Sequence, residues 1–194
     1  MPRRKGLAVT LPDVLFPTYV QMLQALSGWL GKAAAQQPEG EALLSARLAP
    51  DMFPLATQIR FACVQAQEGI ARLRQQPIPA SVAILLDEGR NAGAHPGTIA
   101  DALARIDETV ALVNAAAAEA IAIAPETPIA HDLPMGMIFD LTAAQYARDW
   151  ALPQFYFHVM TAYAILRAQG VELGKVDYVA HMLPYLRPGT MPGQ

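Results

Sequence analysis

Apolar residues recur at intervals of three and four along four segments of the chain, which is the spacing of an amphipathic helix. The first segment runs from about residue 12 to residue 35, and its apolar face carries Leu15, Tyr19, Met22, Leu26 and Trp29. The second places on one face Leu55, Ile59, Ala62, Ala66, Ile70 and Leu73, and Pro77 stops it. These patterns predict two long helices in the first half of the chain.

The third and fourth segments begin with helix-capping residues. Thr98 and Asp101 have the spacing of a capping box at the start of the third helix, and Thr142 and Gln145 have it at the start of the fourth. The fourth helix should end at Gly170, because glycine adopts the left-handed conformation of a C-terminal cap at little cost. Within it, Pro153 leaves the carbonyl of residue 149 without its helical donor, so we expect a kink just before Gln154.

Two connections complete the expected fold. Residues 76–97 form a long connection between the second and third helices, which in a bundle is typical of a crossover. Residues 120–142 contain several prolines and the short β-prone runs "AIAI" and "MIFDL", which favour a small hairpin or irregular segment. The sequence therefore predicts an all-α four-helix bundle, organised as one domain over residues 1–194.

Composition excludes several classes of partner. Hydrophobic residues make up 53% of the chain, yet no apolar run approaches the length of about 20 residues that a membrane span needs. The net charge is −3, without the basic stripe that nucleic-acid binding requires. The single cysteine, Cys63, excludes an internal disulfide, suits a reducing cytoplasm and is expected to be a small core residue. The basic start "MPRRKG" is expected to be a frayed arm.

Three stretches of the chain resemble a known family: "LFPTYVQMLQALSGWL", "SARLAPDMFPLATQIRFA" and "LTAAQYARDWALPQFYFHVMTAYAILRAQGVELGKVDY". They are similar to a bacterial family of domains of unknown function within the DinB/YfiT-like helical-bundle superfamily. The resemblance implies a four-helix bundle with a crossover between the second and third helices, often dimeric. It also implies a divalent-metal site of three histidines in many members, and thiol-dependent transferase or hydrolase activity in some.

This sequence retains one of those three histidines. Asp51 stands where the first would be, Gln154 stands where the second would be, and only His158 matches. An aspartate, an amide and one imidazole form a poor donor set for zinc, although a harder divalent ion would tolerate them. We therefore expect no cofactor and no filled metal site, with Asp51, Gln154 and His158 as the candidate ligands if a divalent ion does bind.

The same residues form a candidate pocket by helical register alone. Asp51 precedes Leu55 by four positions, and Gln154 and His158 share a face of the fourth helix. We therefore expect a buried polar cluster in which His158 pairs with Asp51, with Trp150 and Tyr156 completing the pocket. Two alternatives remain open: Asp51 as a cap or dipole partner at a helix start, and His158 as a core histidine bonded to Asp51 or to a hydroxyl.

The other histidines are given no role. His131 and Asp132 are expected on the hairpin surface, His95 in a loop and His181 in the C-terminal tail. The chain also lacks a glycine-rich phosphate loop, a nucleophile elbow and a His-Glu-x-x-His motif.

Two functional hypotheses follow. The first is a cytoplasmic helical bundle that binds a small molecule in a polar interhelical pocket. It is expected to be a homodimer, because a fourth helix that is apolar on all faces needs more cover than three neighbours give. The second is a metal-assisted or acid–base transferase or hydrolase, with His158 as ligand or base and Asp51 orienting it.

Overall fold

The computed structural model describes residues 9–37, 40–119, 121 and 123–190, and for Met135 the backbone alone. The basic arm expected at the N-terminus lies outside these residues. Within them the protein is mostly helical with one small antiparallel sheet, as the sequence predicted.

Seven α-helices and two strands follow one another along the described chain. The helices are α1 (Leu11–Gln36), α2 (Leu55–Leu73), α3 (Ala80–Asn91), α4 (Ile99–Ala117), α5 (Ala143–Gln145), α6 (Leu152–Ala168) and α7 (Lys175–Tyr178). The strands are β1 (Pro128–Asp132) and β2 (Ile138–Thr142). Short 3₁₀ turns occupy Gly40–Ser45, Pro134–Gly136 and Ala180–Tyr185.

The core lies among four of the helices. α1 packs against α4 and α6, and α2 packs against the same two helices. α1 and α2 contribute the apolar faces that their sequence patterns predicted, and residues of all four helices are fully buried in this core, among them Tyr19, Leu26, Ile59, Ile106 and Phe155. The apolar spacing along these helices therefore identifies the surfaces that meet in the interior.

The predicted caps are present. Thr98 accepts a hydrogen bond from the backbone N–H of Asp101, whose side chain accepts one from the Thr98 N–H. Thr142 and Gln145 form the same reciprocal pair. Gly170 has a φ of +82°, the left-handed conformation expected at the end of the last long helix.

The hairpin before the last long helix is also present. β1 and β2 pair antiparallel, with Ala130 opposite Asp140. The "MIFDL" run supplies β2, as predicted, whereas β1 begins at Pro128 rather than in the "AIAI" run, of which Ile121 and Ile123 are described. Tertiary contacts explain why the strand forms at Pro128–Asp132. Ile129 and His131, at alternate positions of β1, are buried and anchor this segment to the helices.

The predicted long connection between the second and third predicted helices is present, and it contains a helix that the apolar spacing did not indicate. This helix is α3, which packs against α2 along Val82, Leu85 and Gly89. A Cβ atom at Gly89 would stand 2.4 Å from the Phe61 ring, and Thr57 Oγ1 donates a hydrogen bond to the Gly89 carbonyl at 2.7 Å. Glycine at this position therefore lets α3 lie close enough to α2 to form one wall of a cleft.

Pro153 changes the last long helix by widening a turn. Residues Tyr146–Ala151 form a π-helical turn between α5 and α6, and Pro153 stands in the first turn of α6. Because proline cannot donate to the carbonyl of Asp149, the wider turn lies where a regular hydrogen bond would be missing. None of the helices in the described part of the chain is long and apolar enough to cross a membrane.

Candidate functional site

A cleft of about 890 Å³ opens between α2, α3, the hairpin and the start of α6. We call it the α2–α3 cleft. Its apolar walls include Phe53, Phe61, Val64, Ile78, Val82, Leu86, Leu133 and Phe157. Its polar lining residues are Gln65, Glu68, Arg72, Arg90, His131, Asp132, Trp150 and His158. The volume lies within the range typical of small-molecule sites, about 300–1,000 Å³.

His158 lies in one wall of the cleft, where it is held by a hydrogen bond across two helices. Its Nδ1 is 2.9 Å from Gln58 Oε1, and Gln58 is buried near the start of α2. The Gln58 amide nitrogen donates to the carbonyl of Phe53, so its oxygen is left to accept. Nδ1 of His158 is therefore the protonated nitrogen of a neutral imidazole. Burial lowers the pKa of this imidazole to about 4.

The predicted pairing of His158 with Asp51 is wrong. Asp51 is exposed in the turn before α2, and in the described structure its carboxylate makes no hydrogen bond to His158. The predicted register requires that α2 begin before Asp51, whereas the prolines at 50 and 54 delay the start of the helix to Leu55. The first turn of the helix therefore presents Gln58 to His158 in place of Asp51.

These donors do not fit a metal ion. His158 Nδ1 is bonded to an amide oxygen, Asp51 faces solvent, and Gln154 is half-buried without lining the cleft. Among the described residues no group of three His, Cys, Asp or Glu side chains is placed to hold one. One imidazole and neutral amides are a poor donor set for zinc or a similar ion. We therefore derive no metal chemistry from this site.

Of the two remaining predicted pocket residues, one lines the cleft and the other does not. Trp150 lines the cleft, while Tyr156 is half-buried against the core and does not line it. The cleft thus includes two of the five predicted residues, Trp150 and His158.

His131 was predicted on the hairpin surface, and this was wrong. Its side chain is only 2% exposed and lines the cleft from β1. The imidazole stacks at a tilt on Trp150, with ring centroids 4.4 Å apart, and meets Tyr146 edge to face at 5.4 Å. Neither of its nitrogens has a hydrogen-bond partner within the described structure. Burial, with a smaller contribution from nearby Arg72, lowers the pKa of His131.

Other unpartnered polar atoms surround this histidine. Buried atoms that lack a hydrogen-bond partner in the described part of the chain include Gln65 Oε1, Arg72 Nε, Trp150 Nε1 and the Tyr146 hydroxyl. Nearby Glu68 is half-buried, and burial raises the pKa of its carboxyl group. Such atoms are uncommon in folded proteins, and four of the residues that carry them line this cleft, namely Gln65, Arg72, His131 and Trp150. We call His131, Gln65, Glu68 and Trp150 the polar end of the cleft.

Most of the polar end cannot be recognised from the sequence pattern, for a physical reason. Gln65 and Glu68 lie beside the apolar face of α2, where polar residues ordinarily meet solvent. The hairpin and α3 cover that side of α2, and neither contact follows from the periodicity of α2 itself. The alternation of Ile129 and His131 on β1 was the one available signal, because positions two apart share a face of a strand.

The cysteine is placed as expected. Cys63 is fully buried, and burial raises the pKa of its thiol to about 12. A thiol in this environment is a packing residue and not a nucleophile.

Comparison with known proteins agrees with this architecture. The model of a family described as a domain of unknown function, DUF1993, matches residues 11–179. Among solved structures, the chain is similar to the crystal structure of a DinB family member protein from Shewanella denitrificans. The two share 30% sequence identity and superpose with a TM-score of 0.67, covering 95% of this chain and 94% of that one.

No curated protein matches the chain. The family match spans both walls of the α2–α3 cleft, from α1 through the last long helix. The resemblance inferred from the sequence is thereby confirmed, and the chain belongs to the DUF1993 family of domains of unknown function.

Proposed function

We propose that this protein binds a small, largely apolar molecule in the α2–α3 cleft. The observation that carries the proposal is the cleft itself, with a volume of about 890 Å³, walls that are mostly apolar and aromatic, and a few buried polar atoms that lack a partner in the described structure. A few polar groups within an apolar concavity are the usual composition of a small-molecule site, since the walls supply affinity and the polar groups supply orientation.

The aromatic side chains near His158 support this interpretation. Phe61 and Phe157 each meet the His158 ring edge to face, with centroids 5.4 and 5.3 Å away. Phe157 nevertheless stays 56% exposed and Phe53 50% exposed. Covering such rings by a ligand contributes about 25 cal/mol per Å² of apolar surface removed from water.

Binding can be tested with the uncharged, environment-sensitive dye Nile red. We expect saturable one-to-one binding with a blue shift in its emission. Ala83 is exposed on α3 and lines the cleft, so Ala83→Phe should reduce the space available and weaken binding. Ala111 is an exposed alanine on α4 that does not line this cleft, which makes Ala111→Phe the matched control. Equal dye affinity in both variants would refute the cleft as the site.

A metal-assisted transferase or hydrolase is the alternative that the superfamily suggests. It would need donors beyond the histidine–amide pair described above. Elemental analysis of protein purified without chelator or affinity metal distinguishes the two functions, because a resident metal enzyme should carry a stoichiometric divalent ion. We propose that this protein carries only traces.

We further propose that α1, α2, α4 and α6 constitute a four-helix bundle of the DinB type, with α3 inside the crossover. The bundle is proposed to act as a cytoplasmic homodimer. Met160 on α6 is 38% exposed and lies outside the cleft lining, which supports a second copy covering this part of the helix. Light scattering at micromolar concentration should report twice 20.9 kDa, and a particle of 20.9 kDa would refute the dimer.

A further inference from the structure

The polar end of the cleft offers both hydrogen-bond donors and acceptors that no described protein group uses. Trp150 Nε1 can only donate, and Gln65 Oε1 can only accept. The neutral imidazole of His131 supplies one of each, because one ring nitrogen carries the proton and the other carries a lone pair. A group that complements this set must itself both accept and donate.

The charged side chains that line the cleft balance one another in number, so no net charge attracts an ionised ligand. Glu68 and Asp132 oppose Arg72 and Arg90, two acids against two bases. Two of the three Arg72 nitrogens are already committed, since Nη2 donates to Asp132 Oδ1 at 2.5 Å and Nη1 donates to the carbonyl of Ala130 at 3.0 Å. A charged group brought to His131 would lose its hydration, and the Arg72–Asp132 ion pair beside His131 would compensate neither sign of charge fully, which is costly in an apolar surrounding.

We propose that the cleft selects molecules whose apolar body ends in an uncharged group that both donates and accepts hydrogen bonds, such as a carboxamide or a hydroxyl, and that His131 is its anchor. This inference rests on the proposed binding function and specifies the ligand class. The apolar body lies along Phe61, Val82 and Phe157, and the uncharged end meets His131, Trp150 and Gln65.

Stability supplies an independent reason to assign His131 to a ligand. A buried imidazole with no partner destabilises the folded protein, because its hydration is lost without a replacement hydrogen bond. An apolar ring of similar size would retain the stacking on Trp150 and avoid that cost. His131→Phe should therefore fold at least as stably as the native protein while binding the ligand less well.

The test uses three ligands with one carbon skeleton and different ends: phenylbutanamide, phenylbutyrate and phenylbutylammonium. Their affinities are measured by NMR from the indole N–H signal of Trp150. The indole N–H of Trp29 is an internal reference, because it already donates to the carbonyl of Asp177 at 3.3 Å, and Trp29 does not line the cleft. We expect the amide to bind about tenfold more tightly than either ion, with a downfield shift of the Trp150 signal alone.

Variants of His131 then identify the anchor. His131→Phe should lower the amide affinity by about fivefold or more without lowering the melting temperature. His131→Gln, whose side chain also donates and accepts, should restore part of the affinity. His95→Phe, at an exposed histidine outside the cleft, should leave it unchanged.

The adverse results distinguish a failure of the proposed selectivity from a failure of the proposed binding function. Ions that bind as tightly as the amide, or an amide affinity that is unchanged in His131→Phe, would overturn the selectivity while the binding function stands. A Trp150 signal that none of the three ligands shifts, with Nile red still bound, would also overturn it. Failure of both Nile red and the three ligands would overturn the binding function itself.

Discussion

The neutral His158 buried against Gln58 predicts a specific pH dependence of stability. The pKa of this imidazole is lowered from its ordinary value of 6.5 to about 4 in the folded protein, and burial is the cause. Its hydrogen bond to Gln58 does not oppose protonation, because Nδ1 donates in both the neutral and the charged ring. The cost of protonation is therefore the cost of a buried charge.

The direction of the effect follows from proton linkage. Between pH 6.5 and about pH 4 the unfolded chain binds a proton at His158 that the folded chain does not. The stability contributed by the neutral ring is complete above pH 6.5 and is lost as the pH falls toward 4. Because one pH unit is worth about 1.4 kcal/mol for one such group, the full loss is about 3 kcal/mol.

The measurement is urea unfolding of the native protein and of His158→Asn from neutral pH down to pH 4. Asparagine places an amide N–H near the position of Nδ1 and does not titrate, so the variant keeps a donor for Gln58. Its absolute stability will differ because the side chain is smaller, but only the change with pH matters. The free energy of unfolding should fall by about 3 kcal/mol more in the native protein than in the variant.

His95→Asn is the control, because His95 is exposed in the loop before α4 and does not line the cleft. Native protein and His158→Asn profiles that run parallel within about 0.5 kcal/mol would refute the reasoning. They would mean that water or a local opening solvates the imidazolium, and that the His158–Gln58 contact is not a buried pair.

Three further outcomes are expected. Asp51→Asn should change the free energy of unfolding by less than about 0.5 kcal/mol, because Asp51 is exposed. A larger loss, measured by urea unfolding, would support the predicted pairing of Asp51 with His158. Gly97→Ala should destabilise the protein by about 1 kcal/mol or more, because Gly97 has a φ of +73°. Gly28→Ala should stabilise it by about 0.5–1 kcal/mol, because Gly28 lies within α1 and the new methyl group meets no described atom within 4 Å. Thermal unfolding of both variants measures the contrast. Cys63 should react with a thiol reagent only as fast as the protein unfolds, and rapid labelling of native protein would contradict its burial.

Local physics made much of the fold predictable from the sequence. The long helices follow from apolar spacing, and their first residues follow from side chains that cap backbone N–H groups within three positions, as at Thr98 and Thr142. The hairpin follows from prolines that exclude a helix between residues 125 and 137. Each of these features depends on residues close together in the chain.

The site depended instead on contacts between distant segments. His158 was identified from its place on a helical face, but its partner was not, because the start of α2 at Leu55 decides that Gln58 and not Asp51 reaches it. His131 is a surface position in an isolated hairpin and becomes buried only because β1 packs on Trp150 and Tyr146. Periodicity states which face of an element is apolar. The elements that cover that face decide which polar residues become buried beside it, and here those elements are α3 and the hairpin.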